Sequence, residues 1–482
     1  LTDSLPIDEI LKLFPVFGTS PALRCEEHEV SYMSLYEQIC ELRSMFAELS
    51  VPAGSRVAFL AGDQESFVCL LLSLAASDCI SLPLSEMLAP VEFADLCRQM
   101  KPDYVFLPAR NSKLTDSLES IFFSEDLSDP LADYQLIRLK SDGSVRPPLK
   151  GGFVRFTSGT TGKSKGVYIS CESALERVEA ATLAFPVSQG ERVLFCMPLP
   201  YHFVVSLLFF LKQGAELIFP PLAIHSSPGQ LLIQHKASVM YAAPFHYNQA
   251  CEAFSAPVQS DLRLAISTST NLPTSVAKSF QKIFQITLTQ VYGLIEVGLP
   301  LALKNPAPEE LQSLGIPMPG YEAALFLDGN LVQEQEGSGI LAVRGAGIFD
   351  AYLEPFRTRD EVLHDGWFLT GDIATRNSKG VYSILGRASS VIHVAGHKVF
   401  PEEVEDVILS NPRIKAARVF GEPHHLLQNV IVAEVCPVAG ELISDRELRK
   451  YCKSRLSRYK VPQEIRLKES LPETATGKII RN

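Results

Sequence analysis

The chain has 482 residues, 55 acidic against 44 basic, with a formal net charge of −11 and a hydrophobic share of 46%. That length exceeds what one compact core holds, so two or more domains are expected, and the apolar content excludes wholesale disorder. The acidic balance argues against a nucleic-acid coat or a binder of anionic membranes, while leaving room for a local basic site that takes a phosphorylated ligand.

In chain order, Ser34-Leu-Tyr-Glu37 reads as a capping box, with Leu35, Ile39, Leu42, Met45, Phe46 and Leu49 following at helical spacing. Pro52-Ala-Gly54 predicts a turn and Val57 to Leu60 a short strand. Phe67 to Ala76 is the most apolar stretch, yet it is far shorter than the ~20 residues of a bilayer span, so a buried helix is expected. No membrane span and no secretory signal pattern is read from the residues present, and a cytoplasmic location is the expectation. Short apolar runs recur at Arg192 to Cys196, Leu217 to Pro220 and Val239 to Ala243, each bounded by Pro or Gly. Strand and helix patterns in alternation predict an α/β fold with stacked, mostly parallel sheets. From Ile316 the texture becomes Gly- and Pro-punctuated and β-like, which predicts a smaller β-rich subdomain. Beyond Arg387, a helix Glu402 to Leu409, strands Ala416 to Phe420 and Val430 to Val435, and a helix Asp445 to Leu456 predict a compact α+β unit of about a hundred residues. The expected division is therefore 1–387 and 388–482. The ten cysteines are scattered without a CxxC pair, which fits reduced thiols better than a zinc site or a disulfide framework.

The strongest local signal is Phe156-Thr-Ser-Gly-Thr-Thr-Gly-Lys-Ser-Lys-Gly-Val167, directly after the apolar run Phe153-Val-Arg-Phe156. Gly159 and Gly162 let a backbone turn tightly and bring its amides to an anion. The hydroxyls of Thr157, Ser158, Thr160 and Thr161 add neutral donors, and Lys163 and Lys165 add charge. Such a segment suits a polyphosphate. A Walker loop is the rival reading and fails on spacing, because it needs a glycine at position 157, which is Thr.

With this loop the sequence resembles the adenylate-forming superfamily of acyl- and aryl-CoA synthetases, peptide-synthetase adenylation domains and luciferases. The further motifs follow in family order: Tyr292-Gly-Leu-Ile-Glu296, Gly366-Trp-Phe-Leu-Thr-Gly-Asp372, Gly386-Arg387, Val394 to Val404, and Thr474-Ala-Thr-Gly-Lys478. The resemblance implies a large N-terminal domain and a small mobile C-terminal one. It implies ATP and Mg2+ as cofactors, a small carboxylic acid as substrate, and CoA or a carrier-protein phosphopantetheine as thiol acceptor. Residues matching Tyr292 stack on adenine, those matching Glu296 hold the magnesium, and Asp372 and Arg387 match the ribose- and phosphate-side groups. Lys478 matches the lysine that bridges carboxylate, ribose and α-phosphate during adenylation. Thr268, Ser269, Thr270 and Gly293 fall on the nucleotide side, and His202, Phe203, Ser206, Tyr241, Leu294 and Gly298 on the acid side. Gly396, His397 and Lys398 match the loop that meets the thiol, and Ser389 matches the hinge.

Ile295 stands where the family usually has Thr, Ser267-Thr-Ser-Thr270 where it has a glycine-containing stretch, and Ser389 where the hinge is often Asp or Lys. Side chains in place of glycines imply a narrower pocket or a rearranged backbone contact. The stretch Pro198 to Ser206 has no carboxylate, and an unpaired ammonium in an apolar pocket is costly, so an aliphatic or aromatic acid without an α-amino group is expected. A carrier-protein loader and a catalytically weakened nucleotide-binding relative are the alternatives to a CoA ligase.

Overall fold

The structure, a computed structural model, describes residues 4–25, 28–86, 88–108, 114, 124–126, 134–140, 146–157, 165–221, 227–307, 310–394, 397–424 and 428–472. It divides into two compact units, one formed by Leu1–Glu322 with Val343–Phe368 and the other by Ala323–Ala342 with Leu369–Asn482. Of the β-rich segment, Ala323–Ala342 and the residues from Leu369 on group with the C-terminal residues, and Val343–Phe368 groups with the first unit. Gly386 and Phe400 approach so closely that a Cβ on Gly386 would lie 2.9 Å from the Phe400 ring and 2.5 Å from Glu402 Oε2.

The first unit carries two nine-stranded sheets. One runs in spatial order Ile316–Pro317, Gly298–Leu303, Thr289–Leu294, Leu264–Ser267, Val239–Ala242, Arg192–Phe195, Glu216–Phe219, Pro21–Cys25 and His28–Ser31. Its middle is parallel, from Thr289–Leu294 across to Pro21–Cys25, with Leu23 opposite Leu217 and Val193 opposite Val239, and both flanks are antiparallel. The other sheet is parallel only at its centre, where Arg56–Phe59 lies between Ile80–Pro83 and Tyr104–Pro108 and Gly152–Thr157 pairs with Ile80–Pro83. Strands Lys165–Ser170, Ala351–Leu353 and Phe356–Thr358 extend it antiparallel.

Local sequence accounts for the main helices. Asp63 accepts the Ser66 amide at 2.8 Å and starts the helix Gln64–Ala76, whose residues 67–76 are all buried, which is why the segment is apolar on every face. The helix Tyr32–Glu48 is capped by Ser31, which accepts from the Ser34 amide, so the expected box at Ser34 to Glu37 lies one turn inside the helix. Tyr32 is the cause. Its ring packs edge-on to Phe14 and Phe17 and its hydroxyl donates to Ala215 O at 2.7 Å, which draws the first turn upstream. Ser170 likewise caps Cys171–Ala184 directly after the strand that leaves the hydroxyl-rich loop.

In the second unit, a five-stranded sheet contains Tyr321–Leu327, Gly337–Gly345, Phe368–Arg376 and Tyr382–Arg387. A separate sheet joins Ile392–Val394, His397–Val399, Ile414–His424 and Gln428–Pro437, with Glu464–Leu467 parallel to the last. Helices Pro401–Leu409 and Asp445–Lys453 contribute Val404, Ile408, Leu448 and Cys452 to its core. Among the described residues no helix is long and apolar enough to cross a membrane.

Candidate active site

Strands Gly152–Thr157 and Lys165–Ser170 meet at the Thr157–Lys165 pair. The predicted phosphate ligands Ser158, Gly159, Thr160, Thr161, Gly162 and Lys163, and the side chain of Thr157, lie outside the described residues. Lys165 places its Nζ 5.2 Å from the centre of the Tyr352 ring. Tyr352 sits on the next strand, opposite Val167, and its hydroxyl donates to Glu296 Oε1 at 2.9 Å. Burial and the neighbouring Glu296 carboxylate both push the Tyr352 phenol above its ordinary range, so it remains a donor.

Glu296 lies in the turn between Thr289–Leu294 and Gly298–Leu303, and Arg177 holds that turn from behind. Arg177 is 1% exposed. Its Nε donates to Gly347 O at 2.6 Å, Nη1 to Ile295 O at 3.0 Å and Nη2 to Glu296 O at 3.0 Å. The Phe349 amide also donates to Glu296 O, at 2.7 Å, and the Tyr321 hydroxyl to Val297 O at 3.1 Å. A buried cation whose donors all serve main-chain carbonyls fixes a backbone rather than a charge. Gly298, at φ +94°, is required here, because a Cβ would come within 3.0 Å of Arg177 Cδ and of the Tyr321 hydroxyl. Tyr292 is half-buried on the strand leading into the turn, which bulges at Gly293 before Leu294 pairs with Gly298.

On the acid side, Tyr241 is buried, stacked on Phe195 at 5.3 Å and edge-on to Phe210 at 5.9 Å. Its phenol hydrogen-bonds with Ser206 and Thr268, and burial pushes it up. The Ser206 hydroxyl also donates to His202 O at 2.9 Å within a π-helical turn, Phe203–Leu207. His202 Nε2 lies 3.2 Å from Ser269 Oγ. Ser269 has φ +77°, and the Thr270 amide reaches Thr268 O at 3.0 Å, so Ser269 is the apex of a three-residue turn. The sequence-predicted His202, Ser206, Tyr241, Thr268, Ser269 and Thr270 are thus brought together. Phe203 is fully buried against Phe67 and Phe153, a core position.

In the second unit, Asp372 is 3% exposed and pairs across strands with Arg387, whose Nε lies 2.6 Å from Asp372 Oδ1. Thr370 orders this end: its Oγ1 accepts from the Asp372 amide at 3.0 Å and donates to Leu341 O at 2.8 Å. Ser389 lies in a 3-10 turn, and His397 and Lys398 begin a short strand. The side chains of these three, together with Gly396 and Lys478, fall outside the described residues.

Tyr352 and Arg177 were not read as site residues from the sequence. For Arg177 the signal existed, since it interrupts the buried stripe Cys171, Ala174, Leu175, Val178 and Ala181 of its helix. Tyr352 reaches Glu296 only through strand pairing, which no local pattern announces.

Two family matches that together span most of the chain make it an adenylate-forming enzyme. The AMP-binding enzyme family matches residues 16–353 and its C-terminal domain matches residues 403–478, and the chain belongs to that family. It is 27% identical over 454 residues to a long-chain-fatty-acid–CoA ligase of Mycobacterium tuberculosis, covering 90% of this chain and 88% of that one. It is 25% identical over 478 residues to an indoleacetate–CoA ligase of Aromatoleum aromaticum, covering 95% and 93%. The fold matches that of the o-succinylbenzoate CoA synthetase of Bacillus subtilis, solved with its acyl-adenylate intermediate, at a TM-score of 0.84 and 22% identity over 100% and 98% of the two chains.

Proposed function

We propose that the chain is an acid–thiol ligase that converts a small carboxylic acid to acyl-AMP with ATP and then passes the acyl group to CoA. A carboxylate does not exchange oxygen for sulfur unaided, because oxide is a very poor leaving group. Attack of a carboxylate oxygen on the α-phosphorus, with pyrophosphate departing, gives the acyl group an AMP leaving group, which the thiol then displaces at the acyl carbon. The protein's main work is to position two anions and offset their repulsion.

The observation that carries this reading is Glu296, fixed through its backbone by Arg177 and through its carboxylate by Tyr352, on the strand neighbouring Lys165. Among the described residues no cluster of three or more His, Cys, Asp or Glu could hold a metal ion by itself. One carboxylate, with nucleotide phosphates and water completing the shell, fits the way magnesium is usually bound, and Glu296 is the residue that would hold it. Magnesium bound there would neutralise phosphate charge. Asp372 supplies the acceptor suited to ribose hydroxyls, and Tyr292 the ring suited to adenine. The CoA-ligase relatives support CoA as acceptor.

The test is acid-dependent pyrophosphate release by purified protein with ATP and magnesium, over acetate, malonate, hexanoate, dodecanoate, benzoate and indoleacetate, with and without CoA. Release with at least one acid, accompanied by acyl-CoA, is expected. Acyl-AMP that transfers only to a phosphopantetheinyl carrier would replace CoA in this reading, and silence with every acid would end it.

A further inference from the structure

Strand register places Arg155 opposite Val167, and Val167 opposite Tyr352, so these side chains share one face of the sheet. Tyr352 leads from that face to Glu296. In the other direction Arg155 Nη2 donates to the carbonyl of Tyr201, the residue before His202. Arg155 therefore stands between the Tyr201–His202 segment on the acid side and the nucleotide-side Glu296.

Its bonding is incomplete. Arg155 makes no ion pair among the described residues, and its Nε is closed off from solvent without a hydrogen-bond partner there. Burial, reinforced by the like charge of Arg177, pushes the guanidinium down to about 10, which still leaves it cationic at neutral pH. A structural arginine would resemble Arg177, with each nitrogen on a carbonyl. Among the described residues Arg155 Nη1 and the second hydrogen of Nη2 serve no acceptor, and this end of the guanidinium suits the planar, two-oxygen geometry of a carboxylate.

We infer that Arg155 binds the carboxylate of the acid substrate and holds it between the Tyr201–Ser206 segment and Glu296. The inference rests on the proposed acid-activating function and deepens it by naming the cation that receives the acid. The guanidinium keeps its protons throughout. It orients one carboxylate oxygen toward the α-phosphorus and takes no part in bond exchange. Phosphate oxygens offer related chemistry, but the bond to Tyr201 puts this cation toward the acid.

The experiment uses the full chain with the acid that gives the fastest release in the panel above, and the primary amide of that acid as inhibitor. Arg155→Gln is expected to raise the acid KM at least tenfold while leaving the ATP KM within about twofold. Wild type should prefer the carboxylate to the amide, and the variant should lose that preference. Arg155→Met guards against a folding artefact, since removing a buried cation that has no acidic partner is compatible with a stable core. A raised ATP KM with the acid KM unchanged would assign the residue to phosphate and overturn the inference. So would unchanged constants for both substrates, or loss of the folded state in both variants. Wild type silent with every acid would instead end the proposed function itself.

Discussion

Ser269 shows most directly what a single residue does here. It occupies a left-handed backbone position, φ +77°, where the resemblance leads one to expect glycine or alanine, and its hydroxyl reaches His202 across 3.2 Å. A side chain at such a φ costs roughly 1–2 kcal/mol, and the hydrogen bond returns about 0.5–1.5 kcal/mol. Ser269→Gly is therefore expected to be close to wild type in stability, whereas Ser269→Ala keeps the strain without the bond and should lose about 1 kcal/mol. Urea melts of the two variants decide the matter, and an alanine variant as stable as the glycine one contradicts it. The sequence marked positions 268–270 as a departure, but only the turn geometry shows that the hydroxyl joins the nucleotide-side stretch to the acid-side histidine. Residue identity was legible; the φ angle and the 3.2 Å approach were not, since both depend on where a distant segment packs.

At the scale of elements, the helix Cys171–Ala184 works as a strut. Arg177 delivers its donors to Gly347, Ile295 and Glu296, so the turn bearing the proposed metal ligand is held by a helix more than a hundred positions away in sequence. Arg177→Met leaves the Gly347 and Ile295 carbonyls without this donor, at about 1–3 kcal/mol each. The variant should lose at least about 2 kcal/mol of stability, and the magnesium concentration for half-maximal pyrophosphate release should rise severalfold. Arg177→Lys, which offers charge without the fork, should restore little of either. A magnesium dependence identical to wild type would show that the strut does not set the position of Glu296. Most elements were readable from pattern, including the buried helix after Asp63, the short strands Arg192–Phe195, Glu216–Phe219 and Val239–Ala242, and the helix at Pro401–Leu409. The displaced cap at Ser31 was not, because Tyr32 is placed by Phe14, Phe17 and Ala215, contacts that no sequence window contains. Long antiparallel pairs also outran their sequence estimates. Ile414–His424 and Gln428–Pro437 extend well past the apolar runs because main-chain pairing continues through polar residues.

For the whole molecule, the C-terminal segment raises the question of independence. Its apolar cluster draws on Ile392, Val399, Val404, Ile408, Val419, Ile431, Val435, Leu448, Cys452 and Ile465, all beyond residue 387, and its sheet is complete without earlier strands. A fragment spanning 388–482 should therefore fold alone and melt cooperatively by circular dichroism, although it gives up the approach of Phe400 and Glu402 to Gly386. A fragment without a cooperative transition would mean that the strands before residue 387, which belong to the same compact unit, are needed.

The first hairpin, Pro21–Cys25 with His28–Ser31, borders a sheet whose adjoining strand is Glu216–Phe219. A ribosome making the chain exports that hairpin long before its neighbour exists, by roughly ten to forty seconds at about 5–20 residues per second. During that interval Ala22, Leu23 and Val30, buried in the finished protein, lack the neighbouring strand Glu216–Phe219. Newborn chains shorter than about residue 220 should accordingly bind holding chaperones through their amino-terminal end and release them once Leu217 emerges.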